Sequence, residues 1–180
     1  MSRNLTVAAV LVTAAGMAAA GCGSSASTAT TRSGTQAVSG TVSGPAAAAS
    51  SATVPLTLAG LVSATGSITL VSSSQQQTAT ITTGQGDLAV TRTAGHTSTR
   101  LLSTKTCRFS VGLRAVYTVN GSKSTGKFRH ATGSGDVTVL YTARVPRKPD
   151  GSCDVSVSAR PVKADARVSF AAKGPLTLRQ

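Results

Sequence analysis

Apolar and polar residues alternate along the second half of this chain, and this alternation constrains the fold more than any other feature. The odd positions of 107–119 are all apolar and the even positions are mostly polar, and similar alternation recurs at 136–145, 153–159 and 164–172. Successive side chains of a β-strand point to opposite faces, so a two-residue period predicts strands with one face on a core and the other in water. Strands of this kind are typical of antiparallel sheets.

Shorter segments complete the predicted sheet, and no window beyond the N-terminal region has a helical period. The shorter segments are 55–59, 67–72, 77–82, 87–92 and 98–103. The dipeptides Asn120-Gly121 and Asp150-Gly151 are typical of tight turns because both tolerate a positive φ. Large apolar residues return at residue 54, and the 54–180 segment is long enough for one core. We predict a single all-β domain there, either an antiparallel β-barrel or a β-sandwich.

The N-terminal region has the pattern of an export signal. Arg3 precedes an uncharged apolar run at 5–20, which has about the length of a signal-peptide core. The run is shorter than the ~20 residues that a transmembrane helix needs, and no basic residues follow it directly to stop transfer. A removable signal is therefore favoured over a permanent span.

The run ends at the string Ala19-Ala20-Gly21-Cys22. This string resembles the lipobox of bacterial lipoproteins, although that family most often has Leu at the place of Ala19. The resemblance implies a signal peptide at 1–21, lipidation of the Cys22 sulfur, and anchoring of the protein in the extracytoplasmic face of a bacterial cell membrane. The alternative is an ordinary secretory signal followed by an incidental cysteine.

Small residues dominate the stretch between the signal and the predicted domain. Residues 22–53 are mostly Ser, Thr, Ala and Gly, with Val38 and Val42 as the larger apolar side chains. Such a composition buries too little surface to offset the entropy of ordering the chain. The sequence predicts a disordered tether at 22–53.

Three cysteines are an odd number for an exported chain. If Cys22 is lipidated, Cys107 and Cys153 remain as one pair in a compartment where disulfides persist. Both lie on the apolar phase of their predicted strands, so a disulfide across the sheet is expected. A metal site or a catalytic thiol is disfavoured because no histidine or carboxylate cluster and no C-x-x-C motif accompanies them.

A glycine-rich segment precedes the strand predicted at 136–145. Thr125, Gly126, Phe128, Ala131, Thr132, Gly133 and Gly135 match a T-G-x-F-x-x-A-T-G-x-G pattern. This pattern resembles one found in small β-barrel proteins of the dirigent and allene-oxide-cyclase type. The resemblance implies a folded-in turn whose Phe128 plugs one end of a barrel core. It does not by itself imply cyclase activity.

Positive charge is concentrated in the second half of the chain. The formal net charge is +13, and from residue 92 onward sixteen Lys and Arg face four Asp. A basic sheet face attracts anionic lipid or cell-wall polymer. Nucleic acid is not expected as a partner of an exported domain without an aromatic ladder. The candidate residues for polyanion binding are Arg108, Arg114, Arg144, Arg147, Lys148, Arg160 and Arg167.

The titratable residues do not form a recognisable catalytic pattern. The chain has no Glu, five Asp and two His, and it has neither a G-x-S-x-G nor an H-E-x-x-H motif. We therefore expect no cofactor and no metal, and we expect a monomer. Two functions remain. The first is a non-enzymatic surface module that binds polyanions or has a structural role. The alternative is a small barrel that binds an apolar ligand or acts on one like a cyclase, which a large apolar cavity would favour.

Overall fold

A computed structural model describes residues 30–71, 78–156 and 159–179. The described residues form eight strands, which follow one another in chain order around a closed antiparallel barrel. Pairing of the first strand with the last closes the barrel. The all-β prediction is therefore confirmed, and of the two predicted architectures the domain has the antiparallel barrel. The strands are β1 (Thr31–Ser43), β2 (Ser51–Gly60), β3 (Ala64–Val71), β4 (Thr78–Thr83), β5 (Gly86–Ser103), β6 (Arg108–Val119), β7 (Thr132–Arg144) and β8 (Val162–Arg179).

The two ends of the barrel differ. At one end β6 leads into β7 through residues 120–131, and Phe128 in this connection is fully buried. We call this the plugged end. At the other end the turn between β5 and β6 and the loop after β7 are joined by a disulfide between Cys107 and Cys153. We call this the disulfide end.

Inward-facing side chains of all eight strands form the core. The alternation predicted for 107–119 and 136–145 is confirmed at Ala115, Val119, Val137 and Ala143, which are all buried. The largest of the fully buried side chains are those of Phe128, Leu58, Leu178 and Val54.

Strand β1 corrects the prediction of a disordered tether at 22–53. It pairs with β2 on one side and with β8 along its whole length on the other. Val38 and Gln36 are buried although their neighbours are small and polar. The strand is held mainly by backbone hydrogen bonds, which need no large side chain. The barrel therefore includes the chain from Thr31 onward and does not begin at residue 54, while residues 22–29 of the predicted tether lie outside the described part of the chain.

The strand predicted at 153–159 is wrong for the described residues. Cys153 makes only an isolated bridge with Arg147, and Val155 is 60% exposed. The Asp154 carboxylate accepts a hydrogen bond from the Ser156 amide, and Asp150 binds Ser152 in the same way. Such turns compete with strand pairing for the backbone amides. Residues 157 and 158 lie outside the described part of the chain.

The segments predicted at 87–92 and 98–103 are parts of one strand. Strand β5 is continuous, and its pairing with β6 shifts register between Arg92 and Gly95. A β-carbon on Gly95 would lie 2.7 Å from that of Ala115, so the absence of a side chain allows the close approach at this bulge.

Candidate functional site in the barrel interior

An apolar cavity of about 470 Å³ lies inside the barrel. Its volume is within the range of about 300–1,000 Å³ typical of small-molecule sites. Val71 at the end of β3 and Thr78 at the start of β4 both line it, and Val71 is 46% exposed. Among the described residues, which do not include 72–77, the cavity mouth is therefore on the side of the disulfide end. The apolar lining residues include Val38, Ile68, Leu70, Ala79, Ile81, Leu88, Val90, Leu113, Val119, Val137, Val139, Phe170, Ala172 and Leu176.

Small inward-facing residues leave the space for this cavity. Ala172 lies between Val137 on β7 and Val38 on β1, and all three line the cavity. Ala79 and Gly95 contribute little volume on the opposite wall. An alanine or glycine at an inward-facing position occupies less volume than Phe or Leu would, and no other side chain fills the remaining space.

The plugged end closes the inner end of the cavity. Gln36 lines this part, and its side-chain amide donates to the carbonyls of Ala37, Ala59 and Val62 at 2.9–3.1 Å. Its carbonyl oxygen accepts from the Val62 amide at 2.9 Å. Because the donor and acceptor groups of Gln36 are hydrogen-bonded to the backbone, its side chain joins β1 to the residues after β2. It therefore adds little polarity to the inner end of the cavity.

The glycine-rich segment is attached to the turn between β4 and β5. The Thr125 amide donates to the Asp87 carbonyl at 2.9 Å, and the Lys127 amide donates to the Gln85 carbonyl at 2.9 Å. These bonds hold Phe128 inside the barrel end. The architectural role expected for this segment, a folded-in turn with a phenylalanine plug, is present.

Polar groups are found on the wall nearer the mouth. Arg92 of β5 and Tyr117 of β6 are direct cross-strand partners, and both line the cavity. Thr78 and Thr97 also line it. Directly opposed residues have β-carbons about 4.5–5.5 Å apart, so the Arg92 and Tyr117 side chains start from neighbouring points on the cavity wall.

Burial raises the pKa of the Tyr117 phenol above its ordinary value, and the negative charge of Asp136 raises it further. Burial also raises the pKa of Tyr141, whose ring packs edge-on against Phe109 at a centroid distance of 5.8 Å. Both phenols are therefore protonated at neutral pH. In this form Tyr117 can donate a hydrogen bond.

The structure brings together only some of the basic residues that were predicted to bind polyanions. Arg108 lies directly opposite Arg144, and Arg167 lies opposite Thr142, two residues from Arg144. We call Arg108, Arg144 and Arg167 the basic stripe. Arg144 is also ion-paired with Asp165 at 2.6 Å, which partly neutralises the stripe.

The other predicted basic residues are not part of this stripe. Arg114 lies six residues along β6 from Arg108, a distance of about 20 Å, and faces His96 and Thr138. The Arg147 guanidinium donates to the carbonyls of Gly151 and Lys105. Lys148 and Arg160 are exposed outside the strands, so Arg160 is not on a strand face as predicted.

The predicted disulfide between Cys107 and Cys153 is present, with a Cα–Cα distance of 5.2 Å. Its place differs from the prediction, because it joins two loops at the disulfide end and does not cross the sheet. Cys107 has a φ of 51° in the turn before β6, and its side chain is buried. The bond ties the loop after β7 to the barrel wall.

Cys22 and the signal at 1–21 lie outside the described residues. Within the described ranges, no helix is long and apolar enough to span a membrane. The same residues contain no group of three or more His, Cys, Asp or Glu that could hold a metal ion. The chain matches no protein-family model, no curated protein and no solved structure.

Arg92 is the cavity residue that the sequence analysis missed. Leu88 and Val90 precede it at two-residue spacing and point into the barrel, so Arg92 continues an inward phase. A charged residue on the apolar phase of a predicted strand is the signal that could have identified it.

Proposed function

We propose that the protein is a binding module whose barrel interior holds an apolar small molecule. The observation that supports this most directly is the cavity of about 470 Å³. Removing apolar ligand surface from water contributes roughly 25 cal/mol per Å², and a preformed cavity requires little reorganisation. If Cys22 is lipidated, the module acts at the outer face of the cell membrane, where apolar compounds concentrate.

Filling the cavity tests this proposal. Ala172→Phe places a ring into the cavity, while Ala171→Phe places the same ring on the exposed outer face of the same strand. The full chain is titrated with N-phenyl-1-naphthylamine, a neutral apolar dye that fluoresces when it leaves water. We expect the wild type and Ala171→Phe to bind the dye, and Ala172→Phe to lose at least about tenfold in affinity, which is 1.4 kcal/mol.

Circular dichroism of both variants verifies that the barrel is intact. Overpacking costs about 1–3 kcal/mol, so a folded Ala172→Phe protein is expected. If Ala172→Phe proves unfolded, Ala79→Leu on the opposite wall gives a smaller filling and the same test. Equal dye binding by the wild type and a folded filled variant would show that the interior is not the binding site.

The basic stripe supports a second candidate function, the binding of anionic lipid or cell-wall polymer at the outer face. Arg108 and Arg167 lie on the exposed face at the disulfide end, and no ion pair in the described structure links either of them to an acid. Two exposed positive charges close together on one face attract a polyanion. Such binding is screened, with a Debye length of about 8 Å at physiological salt.

Charge reversal tests the second candidate. Arg108→Glu with Arg167→Glu is compared with Arg32→Glu and Arg179→Glu, two exposed residues at the plugged end. Both double variants have the same net charge. In co-sedimentation with anionic vesicles at low salt, we expect only the first pair to abolish binding. Equal losses in both double variants, or binding that persists at high salt, would contradict a specific basic surface.

A further inference from the structure

We propose that the ligand is an amphipathic anion, whose apolar body fills the cavity and whose single acidic head group is bound by Arg92 and Tyr117. This inference rests on the proposed function and specifies the chemical class of the ligand. It follows from the distribution of polar and apolar groups along the cavity wall.

The polar groups are separated from the apolar ones along the strands. Thr78 at the start of β4 is paired with Thr91, the neighbour of Arg92. Three residues further along β4, about 10 Å deeper, Ile81 lies opposite Leu88. Along β4 and β5 the cavity wall is therefore polar near the mouth and apolar towards the plugged end. A ligand with the same division of polarity enters with its apolar part first.

The charge on this wall selects the sign of the head group. An arginine side chain remains protonated in proteins, and a cation beside an apolar wall has lost part of its hydration. An anionic head group can accept charge-assisted hydrogen bonds with bidentate geometry from the Arg92 guanidinium. A cationic head group in the same place is repelled.

Tyr117 supplies a second donor to the same head group. It lies directly across from Arg92, and a tyrosine phenol, with an ordinary pKa of about 10, is protonated at neutral pH. One guanidinium and one hydroxyl donor converge on a group that accepts several hydrogen bonds, such as a carboxylate or a phosphate.

The bulge in β5 helps to place Arg92. The register of β5 against β6 shifts immediately after Arg92, and Gly95 brings the two backbones close. Bulges re-aim the side chains next to them and are frequent beside binding sites. Thr97 lines the cavity on the far side of the bulge, so the bulge lies between two polar residues of the wall.

The test uses four amphiphiles that share one apolar chain. The full chain is titrated with dodecanoic acid, dodecyl phosphate, 1-dodecanol and dodecyltrimethylammonium by displacement of the neutral dye. We expect the two anions to bind about tenfold tighter than the alcohol or better, as for hydrogen bonds to a charged group, and the cation to bind most weakly. The two anions distinguish a carboxylate from a phosphate head group.

Variants assign the preference to named residues. Arg92→Gln is expected to weaken the anions more than 1-dodecanol and so remove most of their advantage, since the alcohol has no charge. Arg92→Lys keeps the charge and part of the preference. Arg100→Gln, an exposed residue on the same strand, is the matched control and leaves all affinities unchanged.

A separate measurement follows Tyr117 directly. The chain has two tyrosines and no tryptophan, so near-ultraviolet spectra of the Tyr141→Phe variant report on Tyr117 alone. We expect dodecanoic acid to shift this signal more than 1-dodecanol does, because the carboxylate accepts from the phenol.

The possible failures are distinguishable. If 1-dodecanol binds and the anions bind no tighter, the assignment of the head group is wrong and the apolar site stands. The same conclusion follows if Arg92→Gln weakens anion and alcohol equally. If none of the four amphiphiles binds, the proposed function fails with the inference.

Discussion

Tyr117 shows how a single position of this barrel combines packing with polarity. Its ring belongs to the cavity wall, and its phenol has a raised pKa because burial disfavours the phenolate and Asp136 repels it. The alternation in the sequence predicts the inward direction of Tyr117. Its cross-strand partner is Arg92, and no local pattern predicts that pairing.

The raised pKa values of Tyr117 and Tyr141 predict an alkaline loss of stability. In the unfolded chain tyrosine titrates near pH 10, whereas the folded protein holds these protons to higher pH. The stabilising contribution is therefore full below about pH 10 and is lost as pH rises through the folded pKa values. Urea unfolding between pH 8 and pH 11 measures this loss.

The control for this prediction is Tyr117→Phe, which removes one of the two titrating phenols. We expect its free energy of unfolding to fall less steeply with pH than that of the wild type, since lysine titration is common to both proteins. Identical slopes would mean that Tyr117 titrates normally in the folded state.

At the scale of elements, the sequence predicts strands well where large apolar residues alternate and poorly where other forces hold the chain. Strands β6 and β7 follow the alternation at 107–119 and 136–145 closely. Strand β1 has a composition typical of a linker, and its partners β2 and β8 supply the hydrogen bonds that order it. The segment from Cys153 onward alternates correctly, but in turns the Asp150 and Asp154 carboxylates accept hydrogen bonds from the backbone amides of Ser152 and Ser156.

Gln36 provides a test that β1 is part of the fold. Gln36→Leu keeps a side chain of similar size and leaves the Val62 amide and carbonyl without the partner that they have now. Each buried group left unsatisfied costs about 1–3 kcal/mol, so we expect a loss of at least that size in urea unfolding. Thr35→Ala, at the exposed neighbouring position, should change stability by less than about 0.5 kcal/mol. A Gln36→Leu protein as stable as the wild type would mean that β1 contributes little.

At the scale of the whole molecule, the corrected start of the barrel changes the geometry of the proposed anchor. Eight residues lie between Cys22 and Thr31, which is at the plugged end beside the end of β8. A chain of this length reaches at most about 30 Å. A lipid on Cys22 would therefore attach close to the plugged end, while the cavity mouth lies on the side of the disulfide end. In this arrangement the mouth and the point of attachment are on opposite sides of the barrel.

We predict that a lipid on Cys22 anchors the protein in the membrane. The string Ala19-Ala20-Gly21-Cys22 behind a charged N-terminus and an apolar run resembles a lipobox. We expect mass spectrometry of the protein made in a bacterium to show a mature N-terminus at Cys22 with acyl chains attached. Each buried methylene contributes about 0.8 kcal/mol, so two or three chains retain the protein in the membrane fraction. Cys22→Ala should release the protein, whereas Ser24→Ala, two residues further on, should leave it membrane-bound. A mature chain that begins elsewhere and has a free thiol at Cys22 would show that the protein is secreted without an anchor, because the acyl chains are then absent.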